Sequence, residues 1–159
     1  MSCRLAFFSQ EWESSVGNFK LHDSQMVFSF LPSKALDFFH NQDACSVVIF
    51  IDEEPVVFFV LHKCGETSDF TENNTAIFLR SFLIDKRHQR KGYAKLALAI
   101  LPKFMEDHLP YVEEIVLTVD ENNLAAKRLY EKSGFIHKGR TKVGRSGLEL
   151  GMHYSLKGS

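Results

Sequence analysis

Residues 85–95 read Asp-Lys-Arg-His-Gln-Arg-Lys-Gly-Tyr-Ala-Lys and end at the point where an apolar helical pattern begins. The first backbone N–H groups of a helix have no internal partner, and the helix dipole adds partial positive charge there. An anion, above all a phosphate, is the natural occupant of such a place. Gly92 allows close backbone approach, Ala94 keeps the start of the helix uncluttered, and Arg90, Lys91 and Lys95 add charge. These residues have a physical reason to bind a diphosphate. A solvated basic loop capping a helix is the other reading of the same residues. The nucleotide triphosphate loop GxxxxGK[ST] is absent, and so is a GxGxxG dinucleotide fingerprint early in a βαβ unit. Lys86, Arg87, Arg90 and Lys91 could clamp a nucleic-acid backbone, but stacking aromatics beyond Tyr93 are missing. A second reactive type, the phenol of Tyr130, lies on an apolar stripe with Ala126 and Leu129, which by itself marks a core residue.

The elements that must hold these residues follow from periodicity. Before the loop, residues 75–84 (TAIFLRSFLI) are apolar on both faces and predict a long central strand. Upstream, residues 46–51 and 56–61 are β-branched and aromatic runs around a polar turn at 52–55, a hairpin. Residues 4–8 predict a strand, and segments 10–20 and 33–40 short helices, the second capped by Ser33. After Gly92, the residues Ala94, Ala97, Leu98, Leu101, Phe104 and Met105 recur at helical spacing, and Pro102 should kink that helix or split off its last turn. Residues 114–120 form another strand. Asn122 or Asn123 caps a second helix that Gly134 stops. Finally Leu148, Leu150, Met152, Tyr154 and Leu156 alternate with Glu149, Gly151, His153 and Ser155, which predicts a half-buried antiparallel strand. The fold class expected is α/β: a mixed, mostly antiparallel sheet flanked by helices.

At 159 residues the chain is expected to be one domain, 1–159. A net charge of −1 offers no field that would favour nucleic acid or an anionic membrane. Three widely spaced cysteines without CxxC read as reduced thiols, and no stretch is apolar enough to cross a bilayer. The N-terminus lacks a signal-peptide pattern, so a soluble, cytoplasmic protein is expected. No metal is expected.

Two blocks carry a resemblance. Gln89-Arg-Lys-Gly-Tyr-Ala94 resembles the (Gln/Arg)-x-x-Gly-x-(Gly/Ala) signature of the GNAT superfamily of N-acetyltransferases, and Asn123-Leu-Ala-Ala-Lys-Arg-Leu-Tyr-Glu-Lys-Ser-Gly-Phe135 resembles that family's Asn-x-x-Ala-x-x-Leu-Tyr-Glu-x-x-Gly-Phe helix. Each follows a strand. Either motif alone is weak, whereas the pair in this order is specific. The resemblance implies acetyl-coenzyme A as cosubstrate, with its pyrophosphate on the amides of Arg90, Lys91, Gly92, Tyr93, Ala94 and Lys95 and with Gln89 shaping the turn. It implies that Phe82, Leu83 and Ile84 lie where the strand splays and bonds the pantetheine arm like an added strand. Asn123 would contact the pantetheine or phosphates, and Tyr130 would protonate the departing thiolate.

The run 78–95 resembles more specifically the polyamine acetyltransferases of Bacillus type, which implies spermidine or spermine as acceptor. Glu11, Glu13, Asp23, Glu53 and Glu54 are the carboxylates available to such a polycation. A protein amine or an aminoglycoside-like amine stays open, as does a monomer or a homodimer. The attacking amine must be neutral, yet the central strand carries no carboxylate. His62, Glu66 and Asp120 are base candidates by position alone, and none is assigned. Two further classes stay open: a module that binds acetyl-coenzyme A without turnover, and a nucleic-acid-binding domain.

Overall fold

A computed structural model describes residues 3–7, 44–63, 65–89, 91–144 and 147–156. The helices expected at 10–20 and 33–40, with the Ser33 cap, lie outside the described residues. Among the described residues, seven strands form one sheet: β1 (Cys3–Phe7), β2 (Ala44–Ile51), β3 (Glu54–His62), β4 (Ala76–Ile84), β5 (Glu114–Asp120), β6 (Ile136–Gly144) and β7 (Gly147–Ser155). Their order is β1-β2-β3-β4-β5-β7-β6. Only β4 and β5 run parallel; every other neighbouring pair is antiparallel. Helix α1 (Tyr93–His108) joins β4 to β5, and α2 (Leu124–Lys132) follows β5.

The β2–β3 turn is tighter than the pattern predicts. Ile51 pairs with Glu54, so the loop is Asp52 and Glu53 alone, both with positive φ (50° and 67°). A two-residue loop of that handedness matches the twist of the flanking strands. Pro55, which has no N–H to give, then falls inside β3, and the register shifts beside it between Ile49 and Phe50. Arg4 on β1 braces the turn through Glu53, Nη2 to Oε2 2.9 Å.

All six apolar residues expected on the first helix are the ones α1 buries. They meet Val57, Phe59, Leu61, Ile77, Leu79 and the inward residues of β5 and β7, and the stripe of α2 joins the same cluster. Both described helices therefore cover one face of the sheet. Pro102 does not split the helix, which runs unbroken past it to His108. On the opposite face, Phe70 packs with Ala76, Phe78 and Val116. Here the closing strand departs from expectation. Gly151 and His153, on the side expected to face solvent, are both buried, and Phe70 lies over Gly151. A Cβ on Gly151 would stand 2.4 Å from Phe70 Cδ1.

Candidate active site

The parallel pair β4–β5 opens partway along its length. Its ladder holds three pairs, Ala76 with Glu114, Ile77 with Ile115 and Phe78 with Val116. Beyond Phe78 both strands continue, yet they no longer pair with each other. On its other edge β4 stays joined to β3, where Val60 faces Arg80 and Phe58 faces Leu83. One residue of β3, Phe59, thus opposes two of β4, Ser81 and Phe82. This is a bulge, which bends a strand and leaves backbone groups out of the ladder. The 82–84 segment sits in the opened stretch, with backbone groups on its β5 side available to an added extended chain.

Both helices begin at this same end, because each follows the C-terminal end of one of two parallel neighbours. From there they diverge: α1 packs on β1 and β3, α2 on β5. A crevice outside the carboxyl ends of parallel strands whose helices diverge is where α/β sheets bind ligands.

The loop between β4 and α1 is held by its own short contacts. The Asp85 amide donates to Val56 O (3.1 Å) and the His88 amide to Asp85 O (2.8 Å), closing a 3₁₀ turn over Lys86–His88. The Asp85 carboxylate is fully buried and accepts from Arg87 Nε at 2.7 Å. Gln89 Nε2 donates to Ile84 O at 2.9 Å, so the first signature residue ties the end of the opened strand to the loop. His88 Nε2 lies 3.2 Å from Glu54 Oε1, fastening the loop to the β2–β3 hairpin.

Gly92 caps α1 in the left-handed region at φ 77° and ψ 11°. A Cβ built there meets no atom within 4 Å, so the space beside Gly92 is open. Lys91 and Lys95 are exposed beside it, Ala94 is buried, and the Tyr93 ring stands 6.3 Å from that of His88. Arg90 lies outside the described residues. These features fit a diphosphate: an uncrowded helix N-terminus, a glycine whose φ suits no other residue well, and flanking cations.

Asn123, not Asn122, caps α2, its Oδ1 accepting from the Ala126 amide at 3.2 Å. Tyr130, two turns on, is buried, and burial alone pushes its hydroxyl well above the ordinary phenol pKa. Its ring meets Phe82 edge-on at 6.3 Å and Phe135 at 5.8 Å. The opened strand and the second helix are thereby brought together.

The three base candidates fare differently. Asp120 ends β5 at the opening and is buried, but its Oδ1 accepts from the Asn122 amide at 2.8 Å in a local turn. His62 is buried on β3 opposite Phe78, the last residue of β4 that pairs with β5. Glu66 lies in the 3₁₀ turn Gly65–Asp69. What sequence reasoning missed is the Phe82–Tyr130 contact, since neither residue's local pattern refers to the other. Among the described residues there is no group of three or more His, Cys, Asp or Glu side chains suited to a metal. None of the described helices is long and apolar enough to cross a membrane.

Known proteins were compared with this chain. It is 38% identical over 154 residues, 96% of each chain, to the uncharacterized N-acetyltransferase YbbJ of Bacillus subtilis (strain 168). It is 33% identical over 87 residues to the spermine/spermidine N(1)-acetyltransferase of the same organism, a match covering 55% of this chain and 57% of that protein. Among solved structures, aminoglycoside acetyltransferase AAC(6')-Ib in complex with coenzyme A and kanamycin superimposes with a TM-score of 0.76 at 16% identity, over 97% of this chain and 95% of the other. The spermidine N-acetyltransferase of Vibrio cholerae, in complex with coenzyme A and spermine, gives 0.71 at 16% identity, over 97% and 95%. At such identity these two show the fold. The model of the Acetyltransferase (GNAT) family matches residues 10–135. With that match and a relative alike over nearly its whole length, the chain belongs to the GNAT family of N-acetyltransferases.

Proposed function

We propose that residues 1–159 act as one catalytic unit that binds acetyl-coenzyme A and transfers its acetyl group to a primary amine. The observation that carries this reading is the opening of β4 from β5 after Phe78, at the same end as the Gly92 helix start. Bound acetyl-coenzyme A supplies a thioester, whose carbonyl carbon is attacked by the amine as the carbon–sulfur bond breaks and a thiolate leaves. The chain's own residues do the rest. The amides of residues 90–95 receive the diphosphate, and Gln89 holds the loop against Ile84. The 82–84 backbone lies along the pantetheine arm, and the Asn123 side chain, already fixed by its cap, turns its amide nitrogen toward the same ligand.

Tyr130 gives its proton to the leaving thiolate and is reprotonated from solvent, which also takes the proton the attacking nitrogen sheds as the amide forms. Burial makes the phenol a weaker acid than in water, which by itself opposes donation. The sulfur enters the same dry gap, where its own basicity rises for the same reason, so the two shifts offset one another. The phenol also stays protonated across the physiological range, which a donor requires.

For the acceptor, a polyamine is the first candidate, supported by the similarity to a spermine/spermidine acetyltransferase. An aminoglycoside-like amine is the second, supported by the likeness of fold to AAC(6')-Ib.

The test has two stages. A melting curve with acetyl-coenzyme A at 100 times its dissociation constant should show about 2.7 kcal/mol of added stability. Release of free thiol is then followed with spermidine, spermine, kanamycin and a lysine peptide. No stabilisation by the cosubstrate removes the whole reading. Stabilisation without thiol release from any amine leaves a binding module, and spermidine no better than buffer removes the polyamine.

A further inference from the structure

The bulge in β4 sets which face of the sheet Phe82 takes. Residues 77 and 79 face the helix-side core, Phe78 and Arg80 the other side. One residue without the bulge, position 82 would fall on the far face. With the extra residue at 81–82, Phe82 returns to the helix side and packs against that core. Its ring stacks on Phe59, centroids 5.8 Å apart and planes 26° from parallel, and meets Tyr130 edge-on at 75°. Phe59 is fully buried and Tyr130 nearly so, whereas Phe82 keeps part of its surface exposed. Phe82 is thus a wedge with one partner on each side and a free part at the opening.

We infer that Phe82 is a positioning residue that orients the Tyr130 hydroxyl toward the opened stretch of β4. The inference rests on the proton-donor role proposed above for Tyr130. The physics is simple. The α2 backbone fixes the Tyr130 Cα, but a phenol still has two torsions to choose. Edge-to-face contacts with Phe82 on one side and Phe135 on the other restrict them. The same contacts exclude water from the ring, and no charged side chain contributes to its pKa shift.

The experiment is a double-mutant cycle with Phe82→Ala and Tyr130→Phe, with Phe82→Leu as a variant that keeps apolar bulk. Phe82→Ala should lower kcat about tenfold, in addition to any rise in KM for acetyl-coenzyme A from its place beside the cofactor, because a misplaced catalytic group costs turnover as such. In the Tyr130→Phe background the same change should alter kcat less than about twofold, since the group it positions is gone. Equal losses in both backgrounds overturn the inference. A spectroscopic readout keeps the contact testable if Tyr130→Phe alone retains full turnover, which would remove the donor role itself. The difference in near-ultraviolet circular dichroism between each protein and its Tyr130→Phe counterpart reports the packing of the Tyr130 ring alone. In Phe82→Ala that difference signal should fall, and in Phe82→Leu it should be largely kept. An unchanged signal in Phe82→Ala overturns the contact as well.

Discussion

Replacing Gly92 by Ala separates two costs that the structure keeps distinct. The first is conformational. At φ 77° an L-residue pays about 1–2 kcal/mol, and because a Cβ there meets nothing within 4 Å no steric cost is added. For a domain of this size that is a fall of roughly 2–8 °C in Tm. The second cost falls on the ligand. A methyl group on Gly92, at the start of α1, should hold a phosphate away from one charge-assisted hydrogen bond, a loss of about 1.5–3 kcal/mol. That is about a tenfold to hundredfold weaker dissociation constant for coenzyme A. Gly139 supplies the control. It also has positive φ, at 96°, and open space around its Cβ, but lies on the exposed strand β6. Gly139→Ala should therefore lose similar stability and no affinity. Calorimetric titration of coenzyme A into both variants, alongside melting curves, reads the two costs independently. Equal affinity in wild type and Gly92→Ala would refute the cradle, and equal losses in both variants would assign the effect to general destabilisation.

Three other outcomes are expected. Gln89→Ala removes the side-chain bond to Ile84 O, and should cost about 1 kcal/mol by denaturant titration while raising KM for acetyl-coenzyme A. Gly151→Ala should cost about 1–3 kcal/mol through its collision with Phe70, and Phe70→Leu in the same chain should recover part of it by melting temperature. His153 is buried, and burial depresses its pKa, with nearby Glu114 opposing that shift. Below about pH 6.5 the unfolded chain takes up a proton that the folded chain resists, so stability should drop as pH falls through and below that value. Urea midpoints at pH 7.5 and 5.5 should differ less in His153→Gln than in wild type.

The sequence by itself determined what depends on neighbours along the chain. The stripe of α1 is set by apolar residues three and four apart, and all six expected residues are buried. A cap at Asn122 or Asn123 and the Gly92 helix start are likewise local choices that residue types point to, although the structure had to decide for Asn123. Strand 114–120 was legible because an apolar run bounded by acidic ends needs no partner to be recognised.

Tertiary structure decided everything that depends on which strand lies beside which. β4 leaves β5 after three pairs and bulges against β3 at 81–82, and a bulge is a mismatch of counts between two strands that no local pattern reveals. Period two placed Gly151 and His153 toward solvent, and both are buried instead, Gly151 beneath the distant ring of Phe70. Tyr130 read as a core residue on its own stripe. Only the fold set it edge-on to Phe82, because a helix following β5 and a strand preceding α1 converge where β4 parts from β5.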